Sequence, residues 1–235
     1  MNLHWAKAFQ QLLPSLGKGI GVVLYVTALG FLGALAMALL LAIGRVSKSK
    51  ILNRILVLFI EFIRGTPLLV QFFYIYYVIP MLIDGIAGAF GAETHVQISA
   101  TLSGIIGFAI NYGCYMSEVI RSAILSIDPG QREAGLALGF SESQVLFKFI
   151  IPPAIRNSVP VFGNYLVMMI KDTSLLAMIS VQELLLRAKT FASQTFLTVE
   201  AYTIVAIVYL ILSVPLSRLT VALERHLKRS RMKRS

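Results

Sequence analysis

Lys171 and Asp172 are adjacent charges inside an apolar segment that runs from Val159 to about Ile179. On a helix rising about 1.5 Å per residue they lie roughly 18–20 Å beyond Val159, near the middle of a bilayer. An ionisable group at that depth is expensive and marks a pathway or a pair. Asp172 can meet an ammonium and Lys171 a carboxylate, which is what a zwitterion needs on leaving water. Adjacent helical residues point about 100° apart, so these two share no face. One is expected to face the bundle and the other the pathway or a neighbouring subunit, with Asp172 favoured as the direct contact. Asn111 and Tyr112 lie at similar depth in another apolar segment and join them as candidate pathway residues. The competing reading is an internal ion pair that braces the bundle. Glu61 with Arg64, and Glu118 with Arg121, stand three residues apart, a spacing that lets each pair meet on one helix face. Structural pairing is the expectation for both, with substrate contact as the alternative.

These residues sit in a chain that is built for lipid. Of its 235 residues 57% are hydrophobic and 14% charged, with mean hydropathy +0.79. Soluble domains are nearer half apolar and a quarter charged. The net charge of +10 could suggest nucleic acid, but much of it lies in Arg225–Arg234, directly after an apolar span. A basic cluster there is a cytoplasmic anchor, and no nucleic-acid binding is expected. The single Cys114 lies within an apolar segment, which excludes a disulfide framework and a metal site of cysteines. Met1 to Lys18 is mixed and the apolar stretch after it is too long for a signal-peptide core, so no cleavable signal is expected.

A spanning helix needs roughly 20 mostly apolar residues. Segments at about 19–44, 51–79, 98–124, 159–179 and 201–219 meet that need. The expectation is an all-α membrane protein, one transmembrane domain over 1–235 with five transmembrane helices. Arg45, Lys48, Lys50 and Arg54 follow the first span, whereas only Asp84 and Glu93 follow the second. Arg121, Arg132, Lys148 and Arg156 lie between the third and fourth. By the positive-inside rule these basic connections and the tail are cytoplasmic and the N-terminus is outside, although Lys7 and Lys18 oppose it. Gly30, Ala34 and Ala38 recur every four residues in the first span, a spacing that lets helices approach closely; packing within one bundle is expected.

The longest basic connection, about 126–157, has its own grammar. Asp128-Pro129-Gly130 reads as a turn. Good helix formers fill Gln131–Leu138, and Gly139 stands where a left-handed C-terminal residue belongs. Ser141-Glu142-Ser143-Gln144 fits a capping box, and Pro152-Pro153 is expected to end the helix it opens. The run Glu133-Ala134-Gly135, the glycine six positions on at Gly139 and the proline thirteen beyond at Pro152 resemble the "EAA" loop of membrane subunits of bacterial ABC importers. Phe62–Gln71, Ser117–Arg121, Gly130–Ala134 and Lys171–Leu175 resemble signatures of the polar amino acid permeases. The likeness runs in order from about Val22 to Leu219. Gly135 departs from the pattern where the family often has alanine, though a small residue remains.

The resemblance implies a type I ABC importer permease fold. It also implies that Glu133, Ala134, Gly135, Gly139 and Pro152 couple the chain to a separate ATP-binding subunit present in two copies. It further implies a homodimer or a heterodimer with a similar permease, a soluble extracytoplasmic binding protein, and a polar amino acid or close analogue such as cystine as substrate. The chain lacks the G-x-x-x-x-G-K-[ST] phosphate loop. It is therefore expected to hold no cofactor, and ATP with its Mg²⁺ is expected on the partner. An ion-coupled secondary carrier is the alternative, but its usual inverted repeat of broken helices is not evident. An intramembrane enzyme would want H-E-x-x-H or G-x-S-x-G, and His4, His95 and His226 are scattered outside the spans.

Overall fold

In the computed structural model, residues 4–47 and 49–232 are described, with side chains to residue 225. Most of the expected basic tail therefore lies outside the described side chains. Among the described residues the chain is helical and has no strand. The elements are α1 (Trp5–Arg45), α2 (Lys50–Gly65), α3 (Leu68–Phe73), α4 (Ile79–Ala89), α5 (Ala100–Leu125), α6 (Pro129–Ala137), α7 (Glu142–Val145), α8 (Ile151–Asp172), α9 (Leu184–Thr195) and α10 (Thr198–Met232).

Four segments among the described residues are long and apolar enough to cross a membrane: Trp5–Arg45, Leu68–Ala89, Glu142–Ile179 and Thr198–Arg225. That corrects the expected five. The segment expected at 98–124 is helical as α5, but it is not one of the four. Its polar residues are turned into protein: Ser103, Asn111 and Ser117 are buried, as are Phe108 and Met116. A helix jacketed by other helices has no need of a lipid-like composition.

The expected second span, 51–79, is corrected as well. It breaks at Gly65-Thr66-Pro67, where Thr66 is extended (φ −110, ψ 143) and Pro67 caps α3. The residue before a proline is driven out of the helical region, and that outweighs the apolar run on either side. α2 becomes an amphipathic helix with Ile60 and Ile63 buried and Ile51, Ile55, Leu58 and Phe62 exposed. The spanning helix begins only at Leu68 and passes through a π-turn at Tyr74–Val78 into α4.

α1 starts earlier than the expected 19, because Ala8, Leu12 and Leu16 repeat on one face and bury against α9 and α10. Its later half packs along α5. Here the small-residue spacing works within one bundle, as a Cβ on Gly30 would lie 2.9 Å from Phe108 Cβ. Ala34 and Ala38 are fully buried in the same seam. α9 was not foreseen. Its N-cap is the fully buried Glu183, whose carboxylate accepts from Leu185 N, Leu186 N and the Tyr209 hydroxyl, each at 2.7 Å. Burial raises that carboxyl above its ordinary range, and these hydrogen bonds pull the other way.

Candidate functional site

The break after α2 would leave backbone groups unsatisfied beside an apolar span, which is tolerated only where they are held by protein or line a cavity. Gln71 supplies the hold. Its amide Nε2 donates to Ile63 O at 2.7 Å, to Thr66 O at 3.1 Å and to Thr66 Oγ1 at 2.9 Å. Its Oε1 accepts from Asn111 Nδ2 at 3.1 Å. Asn111 is thus committed to the residue that caps the break, a positioning task that its place in an apolar run did not reveal.

Beside the break lies a cavity of about 460 Å³. Arg64 to Leu68 form one wall, Asn111, Tyr112 and Tyr115 of α5 a second, and Tyr165, Met168 and Asp172 of α8 a third. Asp172 is the last residue of α8; from Thr173 to Ile179 the chain tightens to a 3₁₀ helix that ends at Ser180 in the left-handed region (φ 66). Two walls therefore end in discontinuous helices. A 3₁₀ stretch of this kind is a common place for hinge motion. Tyr112 donates its hydroxyl to Asp172 Oδ2 at 2.6 Å, which fixes the carboxylate against α5. The Tyr112 and Tyr165 rings meet edge to face, with centroids 5.9 Å apart.

The candidate pathway residues divide. Asn111, Tyr112 and Asp172 line this cavity, whereas Lys171 is exposed on another face of α8 and does not. The expected Glu61–Arg64 pair is a correction: no ion pair joins them among the described residues. Glu61 is exposed on α2, and the Arg64 guanidinium lies 4.9 Å from the centroid of the Tyr115 ring. The i,i+3 spacing was right for a helix, but α2 ends one residue after Arg64 and turns it into the cavity. Glu118 and Arg121 do pair, at 3.0 Å, and Arg45 joins Glu118 from α1 at 2.9 Å. The triad ties the ends of α1 and α5 together.

The second candidate region is the elbow of α6 and α7. Asp128 caps α6 by accepting from Gly130 N at 2.8 Å, with Pro129 in the first turn. At the other end Gly139 is left-handed (φ +84). Gly139 N reaches Leu136 O at 2.9 Å and Phe140 N reaches Gly135 O at 3.2 Å, the paired bonds of a Schellman cap. The capping box forms: Ser141 Oγ accepts from Gln144 N at 3.3 Å, and Gln144 Oε1 from Ser141 N at 2.9 Å. Arg132 and Glu142 bridge the two helices at 3.0 Å.

Two expectations need correction here. Pro152 and Pro153 do not end the second helix. A π-turn at Leu146–Ile150 shifts the hydrogen-bond register, and the prolines fall in the first turn of α8, where their missing N–H groups cost little. Nor is Gly135 an idle departure: it is buried, and a Cβ there would lie 2.9 Å from Val145 Cγ2. Glu133, Ala134, Gly139 and Pro152 are exposed, and Leu138 stands 77% exposed at the tip.

A capped elbow of short helices, a cavity lined by Arg64, Asn111, Tyr112 and Asp172, and discontinuous helices around that cavity fit a membrane transport subunit. The chain belongs to the family described as binding-protein-dependent transport system inner membrane component, whose model matches residues 30–229. It is 36% identical over 228 residues to the glutamine transport system permease protein GlnP of Escherichia coli (strain K12), covering 97% of this chain and 99% of that one. It is likewise 36% identical over 228 residues to the L-cystine transport system permease protein TcyB of Bacillus subtilis (strain 168), covering 97% of this chain and 92% of the relative. Among solved structures it is similar to one described as an amino acid ABC transporter with histidines. There the TM-score is 0.81 and identity 31%, over 96% of this chain and 100% of that one. The methionine ABC transporter MetNI, inward facing, shares the fold at TM-score 0.60 and 15% identity, over 92% of this chain and 97% of that one. The chain is therefore an inner-membrane permease subunit of an ABC importer, a transport component and not a catalytic one. These relationships do not support the ion-coupled carrier.

Proposed function

We propose that this permease carries a polar amino acid into the cytoplasm through the cavity between α3, α5 and α8, and that the elbow of α6 and α7 couples it to a separate ATPase. The observation that carries the reading is the Asp172 carboxylate at the cavity wall, beside the end of α8, where it can meet an α-ammonium. The permeases named for glutamine and for L-cystine support an amino acid substrate.

The protein works as one transmembrane domain with an outside N-terminus and a cytoplasmic C-terminus. α5 crosses inside the jacket of its neighbours, since 26 residues reach about 39 Å. Two such permeases, identical or similar, pair in the bilayer. An ATP-binding subunit docks beneath each elbow against Glu133, Ala134 and Leu138. A soluble binding protein delivers substrate from outside, and ATP with Mg²⁺ stays on the ATPases. Closure of the ATPases pulls the elbows together and rocks the cavity from inward to outward facing.

The test is uptake by vesicles holding the whole complex. Asp172→Asn keeps size and hydrogen bonding but removes the charge; it should leave the ATPase bound on purification and cut amino acid uptake at least tenfold. Unchanged uptake and affinity would remove Asp172 from the path.

A further inference from the structure

We infer that Arg64 binds the substrate's α-carboxylate, and that the cavity selects amino acids whose side chain carries no charge. The inference rests on the cavity being the substrate site and goes on to name what it takes. α2 stops at Gly65, and this delivers Arg64 to the cavity in place of a pairing with Glu61. Tyr115 holds it there twice. Its hydroxyl donates to Arg64 O at 3.3 Å, and its ring lies under the guanidinium at 4.9 Å. A guanidinium held over an aromatic face by cation–π attraction still has N–H groups to take a carboxylate in a two-pronged grip. Across the cavity Asp172 gives Oδ2 to Tyr112 and has Oδ1 to offer an ammonium.

The charge balance then decides the substrate class. Arg64 and Asp172 are the ionised groups in the lining: Lys171 lies outside it, and Glu118 is committed to Arg45 and Arg121. The two ends of a zwitterion use one cation and one anion. A third charge on the side chain would find no second counter-ion among the lining residues. A neutral side chain is what remains.

The experiment is direct binding to the permease–ATPase complex in nanodiscs, without the binding protein. The neutral panel is glutamine, methionine and asparagine; arginine and glutamate are the charged ones. The α-amide of the tightest neutral binder lacks the carboxylate charge. At least one neutral amino acid should bind tenfold tighter than arginine, glutamate and the α-amide. Arg64→Gln should weaken that amino acid at least tenfold, leave the α-amide within twofold and leave Tm unchanged, while Arg64→Lys restores part of the loss. Equal weakening of amino acid and α-amide would make Arg64 a structural prop and overturn the assignment. Equal binding of arginine or glutamate would overturn the charge selection. Should the wild-type complex bind none of the five, and Asp172→Asn leave uptake unchanged, the cavity itself is not the site and both readings fall.

Discussion

α5 meets α1 on one side and the cavity on another, and the two sides are built from different materials. Toward α1 the contact is small and dry: a Cβ on Gly30 would lie 2.9 Å from Phe108 Cβ, and one on Gly113 would lie 2.8 Å from Met37 Cβ. Helices held so close leave the side chains between them few rotamers to exchange, which suits the seam to moving as a unit. Toward α3 and α8 the same helix presents Asn111, Tyr112 and Tyr115 to open volume bounded by two discontinuous helices. Polar groups there are satisfied by side chains that can re-pair. A transporter needs both properties, a rigid strut to carry displacement and a wall that can rearrange. α5 supplies each on a different face.

The seam should break hardest. Gly30→Leu forces a branched side chain into Phe108, and overpacking of this kind typically costs about 1–3 kcal/mol, more where backbone must shift. We expect little monodisperse protein and a Tm drop of roughly 10 °C, read by thermal melts in detergent. On the cavity face, Tyr115→Leu should leave Tm nearly unchanged and reduce ligand binding alone. Similar stability losses for the two variants would erase the distinction between the faces.

The elbow comes next. Gly139→Val puts a β-branched residue at φ +84, a region that costs about 1–3 kcal/mol, and disturbs the Schellman cap. The protein should still insert, and uptake should fall more than tenfold while the ATPase retains its basal rate. Reversal of the exposed charge, Glu133→Lys, should act in the same direction. Normal uptake by both variants would detach the elbow from the mechanism. Orientation belongs to the same comparison. Ala92→Cys should label from outside intact cells and Ser143→Cys only from inside, with the buried Cys114 as a silent background.

The elbow was legible in the amino-acid sequence because its determinants are local: Asp128, Gly139, Ser141 and Gln144 each act within a few residues. The cavity was not, because residues 64–68, 111–115 and 165–172 meet only through packing. Asn111, Tyr112 and Asp172 could be picked as costly polar groups at membrane depth, but Gln71, the cap of the broken helix, looked like one polar residue in a signature. The break itself was hidden by averaging: apolar residues around Thr66-Pro67 outvote a pair whose backbone preference is decisive. α9 escaped for a related reason, since its start depends on the buried carboxylate of Glu183. In α5, an apolar average read as a span overlooked how much of its polarity faces protein.

A smaller effect is expected at the triad joining the ends of α1 and α5. Glu118→Gln leaves Arg45 and Arg121 without their shared carboxylate. The side chains are only 14–30% exposed, so the loss should exceed a surface pair, about 1–2 kcal/mol, and shrink as salt is raised. Tm in low and high salt reads it; a salt-independent change would mean that packing dominates.

The smallest effect should come from Gly135, and its sign discriminates two forces. Alanine is intrinsically better in a helix by up to about 1 kcal/mol. Against that, its Cβ would sit 2.9 Å from Cγ2 and 3.4 Å from Cγ1 of Val145, a buried side chain that is stiff at χ1. We expect the clash to win narrowly, so that Gly135→Ala lowers Tm by one or two degrees. Val145→Ala alone opens a void and should cost about 1–2 kcal/mol. In the double variant the new methyl occupies the space that the valine vacated, so the loss should be smaller than the sum of the two single losses. Additive losses would show that α6 stands clear of α7 in the membrane-embedded protein. In that event the Arg132–Glu142 bridge, and not the buried Gly135–Val145 contact, holds the elbow closed.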